Sequence, residues 1–344
     1  MTATMQTPTI MLINLGSPSS LDISDIRKYL KQMLSDDEII DLPKPLQQFI
    51  VRAFVLPFRP KKSRRAYDKI WTSEGSPLLI NTQKIARELK NQTGWNVEVA
   101  MRYQEPSIRE TIQKISKDSC KEITVIPLYP HNAMATVGST KKEVERIAME
   151  VNEQLQINFL KPFFDHSDYI DCLVKSISPY ITDKLDMLLF SYHGLPERQI
   201  RKSDPGGDYC MTESDCCMGN SPITKKCYRA NTQSTARLTA DKLGLEKDKW
   251  AVSYQSRVST IGPKWLSPYT SDELKRYPDF GIKNVVVVCP SFVCDCLETL
   301  FEIDIEGRDI FTESGGASFT FVPCLNDNTD FINFLESEVS SLLT

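Results

Sequence analysis

Short, β-branched apolar runs alternate along this chain with longer stretches whose apolar residues recur every three or four positions. The runs at 9–13, 97–101, 123–128, 187–191, 250–254 and 285–289 have strand character; 82–93, 107–117, 141–155 and 232–243 have helical spacing. Strands of four to six apolar residues, without polar alternation, suit parallel sheets covered on both faces by helices, which makes the fold class α/β. The halves also echo each other. TIMLINLGSP near the start resembles MLLFSYHGLPER, and ITVIPLYPHNA resembles VVVVCPSFVCD. Read as a repeat, they predict two similar doubly wound domains with parallel sheets facing a central cleft, at 1–163 and 164–328, and a C-terminal helix at 329–342. Chance similarity between buried strands is the competing explanation.

Open parallel sheets bind ligands beyond the carboxyl ends of their strands. That rule selects Asn14, Arg102, Tyr103, Tyr129, His131, Tyr192, His193, the 255–257 triplet and the 291–298 segment for inspection. The fourteen glycines form no G-x-G-x-x-G, G-x-x-x-x-G-K or G-x-S-x-G. Ordinary dinucleotide binding, a P-loop and an α/β-hydrolase nucleophile therefore lose support.

Composition narrows the class further. With 41% hydrophobic and 25% charged residues the chain is that of a globular protein, and 41 basic against 45 acidic residues give a net charge of −4. No basic surplus points to nucleic acid. The N-terminus lacks the regions of a secretion signal, and no apolar run approaches the ~20 residues of a membrane span. The expectation is a cytoplasmic protein, in which ten cysteines are free thiols or metal ligands before they are disulfides.

Four groups of residues can carry chemistry. Of three histidines, His166 lies in a polar connection and is expected to be exposed. His131 follows a predicted strand and could line a cleft without reacting. His193, in SYHGLPER, sits directly after an apolar strand in a turn shaped by Gly194 and Pro196. Its imidazole could accept a proton or bind a metal near neutral pH, or simply complete the turn. A second group is Glu298, Glu302 and Glu306, which share one face if an α-helix begins near Asp295. A solvated acidic face is the default; a partly buried row, interleaved with Leu297, Leu300, Phe301 and Ile303, would need cations or protons.

The third group is Cys210, Cys216, Cys217 and Cys227, spaced C-x5-C-C-x9-C within the 205–228 segment. A [2Fe–2S] cluster, a structural zinc, and free thiols or a redox disulfide are the readings open to them. Cys120, Cys172, Cys289 and Cys324 read as buried apolar residues, whereas Cys294 and Cys296 precede the acidic row. The fourth is 43–65, with seven Lys or Arg, no acid, and interleaved Leu46, Phe49, Ile50, Phe54, Val55, Leu56 and Phe58. It is either a core-packed helix with a basic loop or an apolar lip with cationic edges, suited to a flat, carboxylated ligand or an anionic membrane surface.

Together LINLGSP, RYQEP, PLYPHNAMATVGS, SYHGLPER, SYQSRV with PKWLSPYT, and SFVCDCLETLFEIDIEG resemble the ferrochelatase family over nearly the whole chain. The resemblance implies two Rossmann-like, chelatase-type domains around a porphyrin cleft. It also implies insertion of ferrous iron into protoporphyrin IX, by distortion of the macrocycle and proton abstraction. It assigns the catalytic roles to His193 and Glu298, and a route for iron or departing protons to Glu298, Glu302 and Glu306. It assigns porphyrin contacts to Leu15, Arg102, Tyr103, Tyr129, Ser191, Gln255 and Trp265, with 49–59 as the lip. Cys296 stands where many members have a histidine two positions before the glutamate. Met134 replaces the internal cluster cysteine of the animal enzymes, and the four cysteines of the insertion resemble an internal-cluster arrangement of some bacterial members. A coproporphyrin ferrochelatase, a cobaltochelatase and a non-catalytic haem- or metal-binding redox sensor are the alternatives. Peripheral contact with the inner face of the membrane is expected from the lip.

Overall fold

The computed structural model describes residues 7–117, 120–212, 215–219, 221–257 and 263–343. Residues 1–6 at the N-terminus, Glu213, Ser214 and Asn220 of the insertion, and Val258 of SYQSRV lie outside them. The chain divides into two compact units. The first comprises residues up to Tyr129, Met134–Lys161 and the chain from Asn326 onward; the second comprises Pro130–Ala133 and Pro162–Leu325.

In the first unit β1 (Thr9–Asn14), β2 (Asn96–Met101), β3 (Glu122–Pro127) and β4 (Gln156–Phe159) form a parallel sheet in the order β2-β1-β3-β4. In the second, β5 (Met187–His193), β6 (Trp250–Gln255), β7 (Asn284–Val288) and β8 (Ser318–Phe321) form a parallel sheet in the order β6-β5-β7-β8. The two orders are equivalent, so the sequence echo corresponds to a structural repeat. All six residues of central β1 are buried, as are the first six of β5. That is why those runs are uninterruptedly apolar. The edge strands β4 and β8 are four residues long and mostly half-buried, and their weak apolar signal is absent from the expected set.

Helices supply the crossovers. Pro77–Thr93 begins with proline, whose fixed φ suits a first turn, and ends at Gly94 with φ +71°. The C-terminal helix Thr329–Leu343 buries Phe331, Ile332, Phe334, Leu335 and Val339, and Gln92 Nε2 donates to Asn333 Oδ1 at 2.8 Å. It therefore belongs with the first unit and does not trail the second. Among the described residues, no helix is long and apolar enough to cross a membrane.

After β1 the chain turns through Gly16 at φ +101°, beside the segment that follows β2. Tyr103 N donates to Leu15 O at 2.9 Å, and a Cβ at Gly16 would stand 1.9 Å from Tyr103 O. Both the left-handed backbone and the close approach require glycine. Gly16→Ala should lower stability by about 2 kcal/mol or more, read as a melting temperature several degrees below that of the unsubstituted protein; an unchanged value would contradict this packing.

Candidate active site

The second unit gathers its polar side chains at the carboxyl ends of β5, β6 and β7. Register pairs His193 with Gln255 across β5 and β6, one step beyond the Tyr192–Tyr254 pair. β5 extends two residues past the expected run, so His193 is its last residue. Its Nδ1 lies 2.7 Å from Gly194 O. A carbonyl only accepts, so Nδ1 carries a proton, and in the neutral ring Nε2 is the acceptor nitrogen. Gly194 N donates to Gln255 O at 2.8 Å, and a Cβ at Gly194 would meet that same oxygen at 2.8 Å. Trp265, half-buried, packs beside this turn and its backbone pairs with Pro196.

The acidic row does not sit on an α-helix. Leu297–Gly307 is an eleven-residue π-helix, with hydrogen bonds spanning five residues. Its wider turn still keeps residues four apart on neighbouring positions, and the row passes from half-buried Glu298 and Glu302 to exposed Glu306. Glu302 accepts from Ser256 N and Ser256 Oγ, each at 2.5 Å, and from Gln255 Nε2 at 3.4 Å. Ser256 holds φ +64° to present both donors. Burial raises the Glu302 pKa above the ordinary carboxylate value; the Ser256 hydrogen bonds and His193 pull it down, and Glu298 adds to the rise. Glu302 thus lies within electrostatic reach of both His193 and Glu298.

Beneath the row, Gln255 is 3% exposed and Ser191 fully buried. Gln255 Nε2 donates to Glu298 O at 2.7 Å, its Oε1 accepts from Ser191 Oγ at 2.8 Å, and Thr270 Oγ1 links Ser191 to Ser253 at 2.8 Å each. Cys296 caps the π-helix together with Thr299. Burial holds its thiol well above the usual range, and its hydrogen bond to the Glu298 side chain adds to that.

The cysteine segment is held by its own acid. Asp204 accepts from Tyr209 N at 2.8 Å and Cys210 N at 2.7 Å. Cys210, Cys216 and Cys227 are buried and Cys217 half-buried. Burial raises the Cys210 thiol to about 12, with its hydrogen-bonded neighbour Cys227 next; burial raises Cys217 to about 12, with Cys216 in hydrogen-bond contact. Cys216 also acts on Cys210 and Cys227 on Cys217, so the four thiols influence one another across the segment. Among the described residues, no three His, Cys, Asp or Glu side chains surround one metal position.

The first unit's strand ends hold a different network. Asp36 Oδ2 accepts from Arg102 NH2 at 2.5 Å, Tyr103 OH at 2.8 Å and Ser139 Oγ at 2.6 Å. Arg102 Nε also donates to Ser139 Oγ. Tyr103 and Tyr129 are buried, and Leu15 packs against a core of Ile26, Tyr29, Leu30, Val51, Leu56 and Tyr103. Val51 and Leu56 anchor the lip from beneath, while Leu46, Phe49, Phe54 and Phe58 are 46–72% exposed. Of the other histidines, His131 is buried among Phe164, Tyr192 and Tyr228 and lines no open surface, and burial lowers its pKa to about 3. His166 is half-buried and caps Ser167–Ile177, its ring accepting from Asp168 N.

A family model described as Ferrochelatase matches residues 7–343. A ferrochelatase of Opitutus terrae is 42% identical over 337 residues, covering 97% of each chain. The chain belongs to the ferrochelatase family. Another ferrochelatase, of Ectopseudomonas mendocina, is 42% identical over 95% of this chain and 96% of its own. SirB from Bacillus subtilis, solved with Fe3+, covers 98% of this chain and 95% of its own with a TM-score of 0.55 at 11% identity. That likeness speaks for the chelatase-type fold alone. As a ferrochelatase, the chain is an enzyme that inserts iron into a porphyrin.

Several residues that hold these two strand-end networks carry little signal of their own. Ser256 follows a strand end and belongs to the triplet selected for inspection, but its left-handed backbone is not legible. Tyr228, whose hydroxyl donates to His193 O at 2.8 Å, opens a helix 35 residues away with nothing to mark it. Asp36 is one acid among 45.

Glu302 yields a pH prediction. A raised folded pKa means the folded state holds the proton more tightly than the unfolded chain. Its contribution to stability is complete below the unfolded value near 4.5 and is lost as pH rises through the folded value. Thermal unfolding from about pH 5 to pH 8 should show that decline, and Glu302→Gln should flatten it; parallel curves for the two proteins would refute the assignment.

Proposed function

We propose that this ferrochelatase inserts Fe2+ into protoporphyrin IX, with His193 and Glu298 as the groups that act at the ring. The observation that carries the reading is the His193 ring itself. Its Nδ1–H is committed to Gly194 O, leaving Nε2 as the proton acceptor or metal ligand at the head of a carboxylate row. Insertion releases two pyrrole protons, and bending of the macrocycle exposes the nitrogen lone pairs. His193 Nε2 receives a proton; Glu298 receives the other or guides the iron. Glu302, with its raised pKa, passes charge outward to exposed Glu306. Gln255 and Ser191 serve this row by fixing Glu298 and Glu302, whichever part of the porphyrin they also meet.

Trp265 beside the His193 turn is the porphyrin contact proposed for the second unit; Leu15, Arg102, Tyr103 and Tyr129 are those proposed for the first. Asp36 sets the direction of the Arg102 guanidinium and tempers its charge. The exposed phenylalanines of the lip favour a porphyrin with apolar vinyl edges over coproporphyrin, and supply apolar area at ~25 cal/mol per Å2 removed from water. With the surrounding lysines and arginines they also suit peripheral contact with an anionic membrane from the cytoplasm.

The four cysteines of the insertion are the ligand set proposed for a [2Fe–2S] cluster, on their number and close spacing in the sequence. When bound, such a cluster supplies a one-electron couple and a staple across the insertion.

Assays with protoporphyrin IX and coproporphyrin side by side, under anaerobic conditions with Fe2+, test the reaction. His193→Ala and Glu298→Gln should each cost at least ~100-fold in turnover while porphyrin binding, followed by fluorescence quenching, persists; near-normal turnover in either would remove that residue from the mechanism. Anaerobically purified protein should show iron–sulfur absorption that disappears in Cys216→Ser, whereas zinc without iron in elemental analysis would decide for a structural zinc.

A further inference from the structure

The π-helix Leu297–Gly307 starts at a cap built from two side chains. Cys296 precedes it with an extended backbone, φ −149° and ψ −170°. Its Sγ accepts from Thr299 N, and Thr299 Oγ1 accepts from Cys296 N at 3.0 Å. The Thr299 hydroxyl, fully buried, donates to Asp295 Oδ1 at 3.1 Å, and the same oxygen accepts from Cys324 N at 3.2 Å. The cap is thereby fastened to the segment that follows β8.

This arrangement uses the lone pairs of the sulfur and leaves its proton. Serine, threonine, aspartate and asparagine are the usual caps, and a thiol is a weak acceptor. Capping alone therefore does not account for a cysteine here. Cys296 is 5% exposed, and its sulfur is in hydrogen-bond contact with the Glu298 side chain. A carboxylate only accepts, so the S–H donates. Gln255 holds Glu298 by the main-chain carbonyl, which does nothing to set the acid's side-chain torsions. The thiol supplies that hold. We propose that Cys296 is a positioning residue for Glu298: its S–H, buried at the head of the π-helix, donates to the carboxylate and fixes the direction in which that acid meets a proton or iron. The proposal rests on the reading of Glu298 given above. Cys296 acts through Glu298 and needs no contact with the porphyrin.

The S–H stretching vibration tests this directly, because it absorbs in an infrared window where other protein groups are silent and falls in frequency when the thiol donates. Cys296→Ser, which keeps a cap and a donor, assigns the Cys296 band by its loss. That band should lie at the low-frequency end of the thiol region in the parent, and Glu298→Ala should move it to higher frequency and weaken it. Cys296→Ala should lower kcat about tenfold with the porphyrin KM held within about twofold, while Cys296→Ser should keep kcat within about threefold of the parent. Cys296→Val, similar in volume and without a donor, serves if Cys296→Ala fails to fold by circular dichroism. A Cys296 band that stays in place in folded Glu298→Ala overturns the contact. A band that moves, with kcat unchanged in the folded donorless variant, overturns the positioning role, as does a Cys296→Ser protein no more active than Cys296→Ala. Near-normal turnover in Glu298→Ala instead overturns the reading of Glu298, whatever the band does.

Discussion

A carboxylate taken out of water must be given donors or a proton, and in the second unit that demand falls on Glu302. The end of β6 is shaped to meet it. Ser256 adopts a left-handed backbone that a non-glycine residue enters only at a cost, and in return offers its amide and hydroxyl to one carboxylate. Gln255 completes the set, and is itself held by Ser191, Thr270 and Ser253 in a chain of buried hydroxyls. Because Gln255 also binds the Glu298 backbone, the same side chain fixes the start of the π-helix. The row of acids is therefore built into the sheet and does not merely lie on it.

The histidine opposite that row is controlled through main-chain carbonyls. Gly194 O fixes which ring nitrogen is protonated, Tyr228 fixes the neighbouring His193 carbonyl, and Gly194 has no side chain because Gln255 O occupies the space. Such outer partners tune a reactive imidazole as strongly as direct contacts do.

The two units carry equivalent sheets, yet spend their strand ends differently. In the second, carboxylates and an imidazole are gathered at the ends of β5 and β6. In the first, Arg102 is committed to Asp36 and Ser139, and Tyr103 donates to the same acid. One scaffold thus carries an acidic edge with an imidazole and a charge-neutralised one, consistent with the rule that function resides in sites grafted on folds.

The sheets and most helices are legible in the chain because central strands such as 9–13 and 285–289 are buried on both faces and must be apolar throughout. The acids, His193 and the four cysteines of the insertion stand out because they are chemically distinctive types at strand ends or in close spacing. The edge strands β4 and β8 escape, since half-buried segments of four residues have no diagnostic period. Local pattern was equally silent on the π-helix, whose extra residue per turn comes from packing and capping by Cys296 and Thr299 rather than from periodicity. Only the folded molecule decides the tautomer of His193, the support of Glu302 by Ser256 and the reach of Tyr228 to the active-site turn. Each is a hydrogen bond between residues brought together by strand register or helix packing, and such bonds depend on ångström-scale geometry that residue order does not encode locally.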